Sequence, residues 1–332
     1  KCEIVCNNIY GVDIERGAVD IARLRFWLSI VVDEMTPQTL PNLDYKFMQG
    51  NSLITTFEGE YVNLDTKNQR HINKHKMDAE KNNLDNLKIQ YYNATGDLKH
   101  DLGIKIKDSI LKLIAYQLGY EYRSLVDKQT VQGELFGDNA VNIDKVIEAL
   151  PEDTKAEKKR ILDLANHLHK QLTDKSVSLA ERSQIDIRFF DWRMMFTEVF
   201  DKGTEEEPKN PGFDIVIGNP PYIHFENMDE DTRTLYAKVK YDSFAKKGDI
   251  YCLFYELGLK NCRNNGILCY ITSNKWMKGD YGDRLRNIFS VNNPQILIDF
   301  EGSKIFENAT VDANILLIQK ASYSGFTKAI SM

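Results

Sequence analysis

Apolar positions alternate between strand-like and helix-like spacing at both ends of the chain. Short apolar runs that stop at turn-forming residues predict strands, and apolar residues three or four apart predict helices. Residues 1–8 lead directly into a strand-like pattern. The predicted strands are Asn8–Val12, Tyr45–Met48, Asp186–Trp192, Phe213–Gly218, Ile267–Thr272, Ile296–Phe300 and Asn314–Gln319, and the predicted helices are Ala18–Val32, Ile250–Cys262 and Asp283–Phe289. This alternation predicts an α/β fold with a doubly wound, mostly parallel, Rossmann-like sheet.

The middle of the chain has a different composition, rich in Lys, Asn, Asp and Gln. Amphipathic runs at Ile104–Leu118 and Ile161–Leu172 predict helices, whose apolar faces we expect to form seams between helices. The sequence therefore predicts three parts: a first core segment at 1–56, a helical insertion at 57–184 and a second core segment at 185–332.

The sequence Asn219-Pro220-Pro221-Tyr222 follows a continuous apolar run, Phe213–Gly218, which predicts a strand buried on both faces. Pro221 forces Pro220 into an extended conformation, and neither proline has an amide hydrogen. The Pro220 carbonyl and the Asn219 side-chain oxygen are therefore two hydrogen-bond acceptors at the end of a strand.

Two such acceptors suit a planar aromatic amino group. Accepting both of its hydrogens favours a pyramidal nitrogen and makes its lone pair available for attack. The ring of Tyr222 offers a stacking face for an extruded base, which offsets part of the cost of extrusion. The alternative is a rigid loop with a packing tyrosine.

Polar residues also follow the first two predicted strands, where ligands bind in sheets of this type. Asp13 is placed to accept both hydroxyls of a ribose, although it could instead cap the next helix. Asn51 could contact the adenine edge of a nucleoside cofactor through its amide, although it could instead be a turn residue beside Gly50.

The formal net charge of −6 conflicts with binding a polyanion, because affinity for DNA depends on Lys and Arg that neutralise phosphates. Local basic segments must supply that charge, and Lys238–Lys247 and Lys275–Arg286 are candidates. Solvated helix faces explain such segments equally well.

Cysteine and histidine residues show no convincing metal-ligand spacing, so we expect no metal and reduced thiols. No apolar run is long enough to span a bilayer, and the first residues lack the pattern of a signal peptide. We therefore expect a cytoplasmic protein without a membrane partner.

The segments around Asp13, Asn51 and Asn219–Tyr222 resemble motifs of the amino-group DNA methyltransferases. The resemblance is closest to the gamma-class adenine enzymes of type IIG restriction-modification and related phage-defence systems. Ile9–Ile14 looks like the family's ribose-binding motif with Asp13 as its acid, and Gly50–Leu53 looks like the next motif, with Asn51 where the family usually has Asp. Phe213–Tyr222 matches the catalytic motif. The resemblance makes Phe254 the aromatic residue that packs against the cofactor, and Phe306 a second contact to the flipped base.

The resemblance implies transfer of a methyl group from S-adenosylmethionine to the exocyclic nitrogen of a flipped adenine in double-stranded DNA. It implies a methyltransferase sheet that ends in an antiparallel hairpin and lacks its N-terminal part. The family's glycine-rich cofactor loop precedes the Asp13 strand, and its target recognition domain follows the hairpin. We therefore expect both in the parent chain, and expect this chain alone to be inactive and without nuclease activity.

Three alternatives remain open. Protein methyltransferases that act on a glutamine amide share the Asn-Pro-Pro-Tyr turn. An enzyme for the cytosine amino group is a closer relative. A non-catalytic module that docks DNA or other subunits is the third alternative.

Overall fold

The computed structural model of the chain describes residues 1–32, 40–62, 73–127, 152–174, 176–182, 184, 189–200, 210–301 and 312–332. These residues form two compact units, Lys1–Met194 and Met195–Met332, and each is described by itself. Among the described residues, no helix combines the length and the apolar character needed to cross a membrane.

Unit 1 begins with a small α/β arrangement in which two short parallel strands pack against a helix. Its elements are α1 (Cys2–Asn8), β1 (Gly11–Asp13), α2 (Arg16–Val31) and β2 (Phe47–Gln49). Residues 2–8 form α1, a helix that the sequence analysis did not predict. Cys2, Val5 and Ile9 pack on one hydrophobic cluster, and their spacing of three and four residues puts them on one face of a helix.

The rest of unit 1 is mainly helical. A hairpin of β3 (Thr56–Phe57) and β4 (Glu60–Tyr61) precedes α3 (Asn73–Asn93), α4 (Gly96–Asp127), α5 (Glu152–Thr173), α6 (Leu179–Arg182) and α7 (Trp192–Met195). The predictions of helix at Ile104–Leu118 and Ile161–Leu172 are confirmed, since these runs lie within α4 and α5 and bury most of their apolar side chains. Most of the predicted strand Asp186–Trp192 lies outside the described residues, and Trp192 begins α7.

Unit 2 is built on a five-stranded sheet with the order β5-β6-β8-β7-β9. Only β8 runs against the other strands, and β7 and β8 form the predicted antiparallel hairpin. The elements are α8 (Thr197–Phe200), β5 (Phe213–Gly218), α9 (Glu230–Lys238), α10 (Tyr251–Asn261), β6 (Cys262–Ser273), α11 (Asp283–Ser290), β7 (Asn293–Asp299), β8 (Ala313–Gln319) and β9 (Lys328–Ser331).

Two predictions for this sheet need correction. Strand β5 is not buried on both faces. Among the described strands it pairs with β6 alone, at the edge of the sheet, and the side chains of Ile215 and Ile217 are 65% and 79% exposed. The predicted Asn-Asn-Gly turn at 264–266 lies inside β6. Its turn-forming residues produce a bulge there, with Asn265 at φ 64°.

Helix α10 packs closely on the centre of the sheet. A Cβ atom on Gly258 would lie 2.2 Å from Cδ1 of Leu268 in β6, so a larger residue there would displace this buried side chain. Tyr251, Tyr255 and Leu268 belong to the buried cluster between helix and sheet. The close contact fixes α10 relative to the carboxyl ends of β5 and β6.

Candidate active site at the Asn219–Tyr222 turn

The turn predicted to carry the chemistry directly follows β5. Asn219 and Pro221 are exposed, Pro220 is buried and Tyr222 is half-buried. The Tyr222 hydroxyl donates a hydrogen bond of 2.9 Å to Oδ1 of Asn219. Because an amide oxygen has two lone pairs, this bond orients the Asn219 side chain and leaves it able to accept a second hydrogen.

The second predicted acceptor is the Pro220 carbonyl. No residue in the described part of the chain donates a hydrogen bond to this oxygen. Neither Pro220 nor Pro221 has an N–H, so the turn itself supplies no donor. Both oxygens that the sequence singled out therefore retain accepting capacity.

Aromatic neighbours fix the ring of Tyr222. Its ring packs edge-to-face against Tyr251 at a centroid distance of 6.2 Å, and the Tyr251 hydroxyl lies 2.8 Å from that of Tyr281. A longer contact of 3.4 Å joins the Tyr222 hydroxyl to the carbonyl of Ile271 near the end of β6. Burial, and secondarily the charge of Asp249, raise the pKa of Tyr222, so the ring stays neutral and its hydroxyl keeps its proton.

Asp249 anchors the far end of the turn and was not found by sequence analysis. Its Oδ1 accepts hydrogen bonds from the N–H groups of Ile223 at 3.0 Å and Tyr251 at 3.4 Å. Burial raises the pKa of this carboxyl, although the backbone donors and nearby His224 act in the opposite direction. A signal existed in the sequence, because an Asp just before an aromatic helix is a capping pattern.

The loop before Asp249 is also fixed by a buried carboxylate. Glu256 of α10 accepts hydrogen bonds from the backbone of Asp242, from both the backbone and hydroxyl of Ser243, and from Lys260. Burial alone would raise the pKa of Glu256, but the bonds from Lys260 and Ser243 outweigh it and lower the pKa. Residues 242–249 are therefore fastened to α10 at both ends.

In unit 1, Asp13 and Asn51 lie at the ends of two neighbouring parallel strands, where Gly50 N–H bonds to the Asp13 carbonyl at 2.9 Å. Oδ1 of Asp13 accepts the N–H of Glu15, and the residue is exposed. Oδ1 of Asn51 accepts the N–H groups of Leu53 and Ile54. The Asn51 oxygen is therefore occupied within the turn, which leaves its amide NH2 as the group for an outside partner.

The remaining predicted residues have different outcomes. Phe254 is partly buried and packs against the core cluster of unit 2, as does Tyr222. Phe306 lies outside the described residues. Within the ranges that are described, no group of three or more His, Cys, Asp or Glu is arranged to hold a metal ion.

Residues 7–306 match the family described as Eco57I restriction-modification methylase. The type II restriction enzyme and methyltransferase RM.Eco57I of Escherichia coli is 34% identical over 122 residues, which is 36% of this chain and 12% of that protein. A putative type II restriction enzyme and methyltransferase of Methanocaldococcus jannaschii is 24% identical over 96% of this chain and 26% of its own length. The chain thus spans about a quarter or less of these relatives.

Among solved structures, a putative class I S-adenosylmethionine-dependent methyltransferase from Listeria monocytogenes aligns with 78% of this chain and 93% of its own. The TM-score is 0.30 and the sequence identity 14%.

The family match covers nine-tenths of the chain and includes the Asn219–Tyr222 turn as well as Asp13 and Asn51. The chain belongs to the Eco57I restriction-modification methylase family.

Proposed function

We propose that this chain is part of an enzyme that methylates the exocyclic amino group of adenine in DNA, with S-adenosylmethionine as methyl donor, in a restriction-modification system. One observation carries the proposal. The Asn219 oxygen is oriented by the Tyr222 hydroxyl, next to a Pro220 carbonyl that receives no hydrogen bond from a described residue. Family membership supports the same reaction class.

Two protein oxygens act on the amino group. Oδ1 of Asn219 and the carbonyl oxygen of Pro220 each accept a hydrogen bond from the amino group. These bonds reduce delocalisation of the nitrogen lone pair into the ring. S-Adenosylmethionine supplies the methyl group as an electrophile. The methyl–sulfur bond would break as the C–N bond forms, so that the donor leaves as its neutral thioether, and the nitrogen then loses one proton to water, directly or through one of these oxygens. The site therefore acts by positioning and electrostatics and needs no strong general base.

Tyr222 holds the base itself. Its neutral ring offers a stacking face, and contacts of this kind contribute about 1–3 kcal/mol per base. That contribution offsets part of the cost of unpairing and unstacking the target nucleotide. The contact from Tyr251 keeps the ring in place before the base arrives, so little side-chain entropy is lost on binding.

Unit 1 carries two residues whose chemistry fits the nucleoside part of the cofactor. The Asp13 carboxylate is exposed and uses one oxygen for Glu15, so its other oxygen suits a ribose hydroxyl. The NH2 of Asn51 suits a ring nitrogen acceptor, whereas its engaged oxygen is poorly placed to accept from an adenine amino group. In unit 2, Phe254 would provide apolar packing.

The test is product analysis with the full-length protein. Unmethylated duplex DNA is incubated with radiolabelled S-adenosylmethionine, and the digested nucleosides are separated by chromatography. We expect the label in N6-methyladenine, and none when the DNA is methylated to completion beforehand. Label in N4-methylcytosine would refute the adenine assignment, and label found only in a protein acceptor would refute the DNA assignment.

A further inference from the structure

Two segments of unit 2 carry an excess of positive charge in a chain whose net charge is −6. Residues 238–249 and 275–286 together contain eight Lys and Arg but only four Asp, a formal charge of +4. All six of their lysines are exposed. Lys238 ends α9, and we call the other five, Lys240, Lys246, Lys247, Lys275 and Lys278, the basic surface. The remainder of the chain is therefore more acidic than the total suggests.

The fold brings the two segments together although 25 residues, 250–274, separate them in sequence. Nη1 of Arg284 donates a hydrogen bond of 2.9 Å to the carbonyl of Phe244. The hydroxyl of Tyr281, in the second segment, is hydrogen-bonded to that of Tyr251, which lies two residues after the first segment. The segments are a loop and a pair of short 3-10 turns that lead into α11, so the charge is not the solvated face of one long helix.

Both segments adjoin the Asn219–Tyr222 turn. The first segment ends at Gly248 and Asp249, which bond to the backbone of Phe225 and Ile223. The second begins at Lys275, four residues after Ile271, whose carbonyl contacts the Tyr222 hydroxyl. The two segments therefore border the turn that is proposed to receive the target base.

The positive charge of the basic surface is not neutralised within the described part of the chain. None of its five lysines forms an ion pair with a described acid. Of the four aspartates in the two segments, Asp249 is buried and Asp283 is paired with Arg286. Asp242 and Asp280 are the remaining two acids, both exposed, beside five lysines.

We infer that the basic surface binds the phosphodiester backbone of duplex DNA around the target base, an inference that rests on the proposed function. A lysine ammonium group binds a phosphate as a point charge and needs no fixed geometry, which suits side chains on a loop. Each phosphate so neutralised releases condensed counterions, and the affinity then falls as salt rises. The surface positions the duplex and carries no sequence information.

The salt dependence of binding tests this directly. The full-length protein is titrated against a fluorescent duplex of random sequence, without cofactor, at several salt concentrations. The double variant Lys246→Ala/Lys247→Ala should reduce the slope of log K against log salt by about 2, because each lost phosphate contact changes it by about 0.9. Alanine at exposed lysines leaves the fold intact, which circular dichroism verifies.

Lys328→Ala is the matched control, because Lys328 is exposed on β9, four strands and about 19 Å across the sheet from β5. It should leave the slope unchanged. An unchanged slope in the double variant, or an equal change in the control, would overturn the inference. This measurement involves no methyl transfer, so a failure of the inference is distinguishable from a failure of the proposed reaction.

Discussion

The carboxylate of Asp249 accepts a hydrogen bond of 3.0 Å from the backbone N–H of Ile223, the residue that follows Tyr222. A short backbone bridge between His224 and Asp249 adds to this contact, and in it Ile250 N–H bonds back to the Ile223 carbonyl at 3.0 Å. The Asn219–Tyr222 turn is thus held at its far end by a buried side chain from the start of α10. We propose that Asp249 is a positioning residue for the reaction.

Two substitutions of Asp249 distinguish the effect of its hydrogen bonding from the effect of its charge. Asp249→Ala removes the acceptor of the Ile223 N–H, a hydrogen bond with a net contribution of about 0.5–1.5 kcal/mol, and we expect kcat to fall by about tenfold as the turn loses this support. Asp249→Asn keeps an acceptor oxygen and removes a charge that burial disfavours, so it should retain most of kcat. Steady-state methylation by the full-length protein measures both. An Asn variant as slow as the Ala variant would show that hydrogen bonding is not the role of this residue.

Tyr222 has two separable tasks, stacking through its ring and orienting Asn219 through its hydroxyl. Tyr222→Phe should lower kcat by several fold while leaving base extrusion intact. Tyr222→Ala should also weaken extrusion, because stacking of about 1–3 kcal/mol is lost. Fluorescence of 2-aminopurine at the target position reports extrusion apart from methyl transfer. Equal fluorescence in the Phe and Ala variants would contradict the stacking role.

Glu256 should stabilise the loop at neutral pH and lose that effect in acid. Its pKa is lowered in the folded state, so its contribution is present above the unfolded pKa, about 4.3, and is lost as the pH falls through the folded value. Glu256→Gln should therefore speed amide hydrogen exchange in peptides that contain Ser243, relative to the exposed control Glu226→Gln. The two proteins should differ at pH 7 and converge near pH 3. A difference that persists in acid would contradict the assignment.

Asp13 is predicted to contribute to cofactor affinity. Asp13→Ala in the full-length protein should weaken the binding of S-adenosylmethionine by about tenfold or more, because hydrogen bonds to a charged group contribute about 1.5–3 kcal/mol. Glu3→Ala, an exposed acid of the same unit, is the control. Calorimetry measures both. If the Asp13 variant bound S-adenosylmethionine with native affinity, Asp13 would have no role in cofactor binding, and its only assigned contact would be the turn with Glu15.

Local sequence patterns predicted much of this fold, because turns and helices depend mainly on interactions between residues that are close in sequence. The turn after β5 and the helices α4, α5 and α10 follow from prolines and from apolar spacing. Helix α1 was not predicted, because a short apolar run has no clear period until its packing partners are known. The exposure of Ile215 and Ile217 was likewise missed, since burial of a strand depends on what lies beside it in the sheet.

The candidate site was predictable only in part for the same reason. Asn219, Pro220 and Tyr222 are adjacent in sequence, so their chemistry is visible as a motif. Asp249 acts on the turn from 26 residues away, and only the fold brings its carboxylate to Ile223. The two basic segments likewise meet only in the folded structure, where Arg284 bonds to the carbonyl of Phe244, so their proximity could not be predicted from the sequence.

Asn219→Ala tests the central claim most directly. Methyl transfer to a target duplex and affinity for that duplex are measured on the full-length protein, with exposed Asn227→Ala as a matched control. We predict that kcat falls by about 100-fold or more, the scale seen when one preorganised hydrogen-bonding partner is removed, while DNA affinity stays nearly native. A variant that methylates DNA at the native rate would contradict the account.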